Sequence, residues 1–306
     1  MWNGDICCAY LYIISRYGYP PPVQDTVAHI AEMAKAGFRL LELEGIGAAN
    51  IRYLHTHREQ VADALMQNGC RVPVLCTVLP GLGSTSSSER SEALEAFEMG
   101  CETAQYLGAE GVLDNGPLLP LDYPADMPVM RHYNGSHLAS LLPPASLGWS
   151  AYWEALTGTF RLACSIAERY GLDYHLHPCE GSLTTGTDSF LFFAEAVDAT
   201  NLRFNLDTAN QFAAGDNLPL SLIRLAGRVS YIHISDNRGD RIEHLPPGQG
   251  NIHWGNFFST LARTGFSGTL AIDIGGAESN VPDLEQAYRD TVRWLNGQPA
   301  LCAGTG

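Results

Sequence analysis

Short apolar runs recur along the chain roughly every 30 to 40 residues, with helix-spaced apolar positions between them, the alternation of successive βα units. The first run, Ile6–Leu11, predicts a strand, and Tyr19-Pro20-Pro21-Pro22 predicts a turn. A helix over 23–36 follows, with Val27, Ile30, Ala31 and Ala34 as its apolar positions and Gly37 as its C-cap. Further strands are predicted over 39–43, 71–78, 111–113, 172–177, 202–206, 229–234 and 269–274. The matching helices fall over 50–68, 89–107, 151–170, 188–199, 218–226, 254–264 and 282–295. Strands and helices alternating in this way predict an α/β fold, a single (β/α)8 TIM barrel spanning 1–306.

Two segments depart from the pattern. From about 114 to 150, proline, glycine, tyrosine and histidine replace helical periodicity. A loop this long within a compact domain serves as a lid over the active face or packs against a neighbouring subunit, in a homo-oligomer or a hetero-complex. The tail, 296–306, is rich in glycine and alanine and is expected to be loosely ordered.

Composition narrows the function. Thirty-three acidic residues against 18 basic give a net charge of -15, a field that repels phosphate backbones and anionic membranes. Nucleic acid is therefore not expected as a partner. No apolar run reaches the length of a membrane span, and no basic segment precedes an apolar core at the N-terminus, so a cytoplasmic protein is expected. The eight cysteines form no CxxC pair and read as reduced, buried small side chains. Cys179 lies among the candidate site residues and is either another of these or a reactive thiol.

The candidate chemistry lies at the C-terminal ends of the apolar runs. Tyr174-His175-Leu176-His177-Pro178-Cys179-Glu180 ends the fifth strand, and Asp207, His233 and Asp273 end the sixth, seventh and eighth. Parallel neighbouring strands bring such residues to one end of a barrel, where carboxylates and imidazoles make a divalent metal site. His175 and His177 flank Leu176 and share a face of the strand. Glu180 has the opposite parity and joins them only if the chain bends at Pro178. After the seventh strand, Arg238 and His244 are placed to hold hydroxyl or carbonyl oxygens of a polyol, while Gly248, Gly250 and Trp254 shape a turn and pack beneath a helix. Glu42 and Glu44 share a face after the second strand, one of them a pocket residue or a structural ion-pair partner.

With these residues the chain resembles the xylose-isomerase-like barrel superfamily. That group includes sugar isomerases and epimerases, hydroxypyruvate isomerase, inosose dehydratase and endonuclease IV. The resemblance covers nearly the whole chain and is carried by the Tyr174–Glu180 stretch, Asp207, His233 with Asp236, and Pro247-Gly248-Gln249-Gly250-Asn251-Ile252 before Trp254. It implies a divalent ion, manganese foremost with magnesium, cobalt or zinc as alternatives, held by Glu180, Asp207, His233 and Asp273. His177 is the alternative to Glu180 at strand five. It also implies a sugar or keto-sugar substrate, bound with help from His177, Arg238, Glu44 and Asn210.

Two positions depart from the epimerase pattern: Asn210 stands where many relatives carry His, and Asp273 where they carry the longer Glu. The HxHxxE stretch is similar to a branch of keto-sugar, inosose and C-glycoside lyases. The expected chemistry is proton abstraction next to a carbonyl by Glu180 or His175, with Asp273 or His244 handling the second proton. An isomerase or epimerase is the first expectation and a β-eliminating lyase or dehydratase the alternative. An AP endonuclease and a non-catalytic barrel subunit stand behind both.

Overall fold

The computed structural model describes residues 5–124, 127, 129–133 and 135–299. Ten short strands are present among them: β1 Ile6–Cys8, β2 Leu40–Leu41, β3 Leu43–Glu44, β4 Val74–Cys76, β5 Gly111–Asn115, β6 Asp173–His177, β7 Leu202–Phe204, β8 Leu206–Asp207, β9 Tyr231–Ile234 and β10 Thr269–Ile272. The chain divides into two compact units, one comprising the residues up to Leu43, Asp63–Pro73 and the chain from Phe204 onward, the other Glu44–Ala62 and Val74–Arg203.

The first unit is built on the sheet β2-β1-β10-β9-β8. Its parallel pairing sets Asp207 opposite His233, and His233 opposite Ala271. Asp273 lies one residue beyond β10, with its backbone N–H on the Ile234 carbonyl at 3.0 Å. This register brings the polar ends of three strands to one level. Rings fill the core: Tyr12 meets Tyr288 edge-on at 5.0 Å, and Trp254 meets Trp294 at 5.1 Å. The Tyr288 hydroxyl donates to the Ile274 carbonyl, pinning the closing helix Leu284–Asn296 to the end of β10. That helix ends where the tail was expected to begin, and 300–306 lie outside the described residues.

The second unit is built on the order β3-β4-β5-β6-β7. Tyr174 of β6 is fully buried between Phe97 and Phe160, with centroids 4.8 and 6.1 Å away. The alternation of a strand then turns His175 and His177 to the other face, as their spacing implied. Among the described residues, the stretch between β5 and the helix Trp149–Arg169 is irregular apart from the short helix Gly135–Leu138. Leu119 N–H on Gly181 O and Leu183 N–H on Pro117 O tie it to the turn after β6.

Local differences from the expected elements have identifiable causes. The first apolar run is part strand and part helix, since the helix Leu11–Tyr17 follows β1 almost at once. The helix expected over 23–36 starts with a 3-10 turn and is α-helical over Thr26–Lys35. Its buried face is Thr26, His29, Ile30 and Met33, not the expected stripe, and Val27 is 44% exposed. His29 turns the helix this way through a 2.9 Å bond to the Tyr10 hydroxyl. The helix expected over 50–68 is two, Ala48–Thr56 and Arg58–Asn68. At the break, His57 directs both its backbone N–H and its ring Nδ1 to the Tyr53 carbonyl.

Candidate functional site

Asp207, His233, His244 and Asp273 all belong to the first unit and are buried together. Asp207 caps the helix Thr208–Ala213: its Oδ1 accepts the Asn210 N–H at 2.8 Å, which leaves Oδ2 directed toward His233. His233 Nδ1 stands 3.7 Å from Asp207 Oδ2 and 3.8 Å from Asp273 Oδ2. Both distances exceed a direct hydrogen bond. They approach the separation of two ligand atoms that each lie about 2.1 Å from a shared ion. Asp207, His244 and Asp273 also offer ligand atoms that all lie within 4.8 Å of one another. Two carboxylates and an imidazole converging in this way fit a divalent cation such as manganese, magnesium, cobalt or zinc.

The groups around these residues fix their orientations. Glu42, which follows β2 and is 1% exposed, places Oε2 2.9 Å from His233 Nε2, while its Oε1 accepts the Tyr10 N–H at 3.1 Å. Burial works against a charge on His233, but the Glu42 and Asp273 carboxylates outweigh it and raise the imidazole well above its ordinary range. His244 is fully buried, with Nδ1 3.1 Å from both Asp273 Oδ2 and Ser235 Oγ. Its Nε2 faces Glu278 Oε1 at 3.9 Å. Ser235, Glu278 and Glu42 complete the surroundings of the expected ligands. Of these, Glu42 carried a sequence signal, a carboxylate directly after an apolar run, whereas Ser235 and Glu278 carried none.

The remaining expected residues divide between the two units. Of the two glutamates after β2, Glu42 bonds His233 within the first unit, and Glu44 belongs to the second. Asn210 is buried beside Asp207, and its backbone supplies the capped N–H. Arg238 is half exposed and bonds Glu243 at 2.8 Å, a carboxylate that Arg241 also engages. His175, His177 and Glu180 lie in the second unit. The His175 ring lies so close to Gly111 of β5 that a Cβ there would stand 2.9 Å from Nε2. His177 Nδ1 lies 3.2 Å from Asn115 Oδ1. Past Pro178, Glu180 Oε1 accepts the Gly135 N–H at 3.0 Å, which joins the end of the β6 turn to the long segment after β5. Cys179 is buried, and burial pushes its thiol up to about 12, so it is not a poised nucleophile.

Asp236, singled out with His233 in the sequence, plays a structural part. Its Oδ1 accepts the backbone N–H groups of Asn237 and Ile252, and its Oδ2 those of Gly248 and the Trp254 indole. This fully occupied carboxylate folds the Pro247–Trp254 loop.

A family model described as a xylose isomerase-like TIM barrel matches residues 30–298. The L-ribulose 3-epimerase of Mesorhizobium japonicum is 23% identical over 267 residues, covering 87% of this chain and 80% of that protein. Among solved structures, the 3-keto-D-glucoside 4-epimerase of E. coli superposes with a TM-score of 0.70 at 17% identity, over 96% of this chain and 99% of its own. The D-psicose 3-epimerase of Clostridium cellulolyticum H10, solved with D-tagatose, gives the same score, identity and coverage. The fold class is thus the α/β TIM barrel expected from the alternating strands and helices.

Proposed function

The chain belongs to the family of xylose isomerase-like TIM barrels, and from that premise we propose that it is a divalent-metal-dependent isomerase or epimerase of a sugar or keto-sugar. The observation that carries the reading is the buried convergence of Asp207, His233 and Asp273, with Asp207 and Asp273 each held in orientation by a hydrogen bond from a neighbour. These three residues would hold the ion, with manganese the first choice. When bound, such an ion polarises adjacent carbonyl and hydroxyl oxygens of a substrate and acidifies the neighbouring C–H.

The chain's own groups supply the proton handling. Asp273 and His244 form a buried carboxylate–imidazole pair at 3.1 Å. Such a pair can take a proton on one member while the other stabilises the resulting charge. Ser235 Oγ, on the same His244 nitrogen, holds the ring in place. Return of the proton to the neighbouring carbon isomerises a sugar, and return to the opposite face epimerises it.

The test is a ketose incubated with the manganese-loaded protein in deuterium oxide. Deuterium appearing at the carbon next to the carbonyl, together with an isomerised or epimerised product, is the expected result. No exchange from any ketose tried, with metal bound, would overturn the reading. The Asp273–His244 pair also favours a second reading, a β-eliminating lyase, because a buried imidazole can protonate a departing oxygen. Loss of water or an aglycone in the same incubation selects it.

A further inference from the structure

We propose that Glu42 is a positioning residue for His233: it holds the imidazole with its hydrogen on Nε2 and so commits Nδ1 to the ion. The inference rests on the metal reading above and extends it to a residue that contacts neither ion nor substrate.

Both oxygens of Glu42 have assigned partners. The Tyr10 N–H takes Oε1 at 3.1 Å, and Oε2 meets His233 Nε2 at 2.9 Å. A carboxylate offers no hydrogen, so Nε2 is the donor. The Glu42 backbone is fixed as well, its N–H bonded to the Cys8 carbonyl at 2.9 Å. Tyr231 lies edge-on to the imidazole at 5.5 Å and restricts its rotation. With Nε2 committed, Nδ1 is the nitrogen that faces Asp207 and Asp273. A carboxylate behind a ligating imidazole fixes its tautomer and makes it a stronger donor.

The Tyr10 N–H makes this arrangement sensitive to a single atom. In Glu42→Gln the backbone N–H still requires an oxygen, so the amide must turn its NH2 toward His233. Nε2 would then have to accept, and the ring hydrogen would move to Nδ1, on the face meant for the ion. The most conservative substitution should therefore disable the ligand while preserving size and packing. A residue that merely filled space or paired a buried charge would not produce this change of tautomer.

The experiment measures manganese affinity by equilibrium dialysis for the wild type, Glu42→Gln and Asp207→Asn. It adds a long-range proton–nitrogen NMR spectrum of the zinc-loaded wild type, with the His233 signals identified by their absence in His233→Gln. Expected are a loss on the order of 10–100-fold in affinity for Glu42→Gln, with circular dichroism unchanged, and a hydrogen on Nε2 of His233 in the wild type. Wild-type affinity in Glu42→Gln, with Asp207→Asn depleted of metal, would overturn the inference and leave the metal centre intact. Wild-type affinity in Asp207→Asn would instead overturn the metal reading. If Glu42→Gln fails to fold, the wild-type spectrum decides, because zinc on Nε2 with the hydrogen on Nδ1 is incompatible with the proposed role.

Discussion

Trp254 donates its indole N–H to Asp236 Oδ2 at 3.0 Å, so the first residue of the helix Trp254–Arg263 is bonded to a carboxylate two positions beyond the end of β9. Three backbone N–H groups share that carboxylate, and each of its oxygens accepts two of the four donors. Charge-assisted bonds of this kind are individually worth about 1.5–3 kcal/mol when buried. Asp236→Asn replaces an acceptor by a donor among donors and should lower unfolding free energy by roughly 3 kcal/mol or more. Urea titration of the two proteins checks it. Gly250→Ala should act on the same knot, because a Cβ there would press on Asp236 Oδ1 and the Asn237 backbone.

Metal dependence should be visible in stability as well as in turnover. An ion bound at a hundred times its dissociation constant stabilises the folded state by about 2.7 kcal/mol. Manganese should raise the melting temperature of the chelator-stripped wild type but not that of Asp207→Asn or His233→Gln. A shift of equal size in Asp207→Asn would place the ion elsewhere.

Asp114, at the end of β5, gives a pH dependence of its own. Burial pushes its carboxyl from 3.8 up to about 7, although the Leu79 N–H bonds both oxygens at 2.9 and 3.1 Å. The folded chain then holds a proton that the unfolded chain releases near pH 4. The stabilisation is complete below the unfolded value and is lost as pH rises toward about 7. The full span corresponds to roughly 4 kcal/mol. Asp114→Asn should flatten the melting-temperature profile between pH 4 and 7, read by differential scanning calorimetry.

The cysteines among the described residues should be chemically silent in the native protein. All seven are buried, and burial raises the thiol of Cys101 well above its ordinary value and those of Cys164 and Cys179 to about 12. Iodoacetamide at neutral pH should label them only after denaturation. Rapid native labelling of Cys179, located by peptide mass mapping, would contradict this.

Much of the fold and of the candidate site was legible because both follow from alternation. A polar residue ending an apolar run predicts a strand whose end faces the active side of a barrel, and Asp207, His233 and Asp273 each carry that pattern. The helix Leu11–Tyr17 was not legible, because Leu-Tyr-Ile-Ile continues the strand's own composition and periodicity cannot divide so short a run. Glu42 and Glu44 looked equivalent because both follow the same apolar run; only the pairing of Glu42 with Cys8 O and His233 distinguishes them. Arg238 looked available to a substrate because Glu243, five residues away in a loop, leaves no periodic trace.

β1 lies between β2 and β10, so it pairs with one strand close to it in sequence and one far from it. During synthesis Glu42 and the first strand emerge early, while Asp273 is made more than 200 residues later. The sheet that carries the proposed ligands therefore closes only after β10 has been synthesised, a long-range pairing of the kind that folds slowly. Until Asp273 has been made, a nascent chain lacks one of the proposed ligands. Ion capture would then follow the pairing of β1 with β10, governed by the cation available once that sheet has closed.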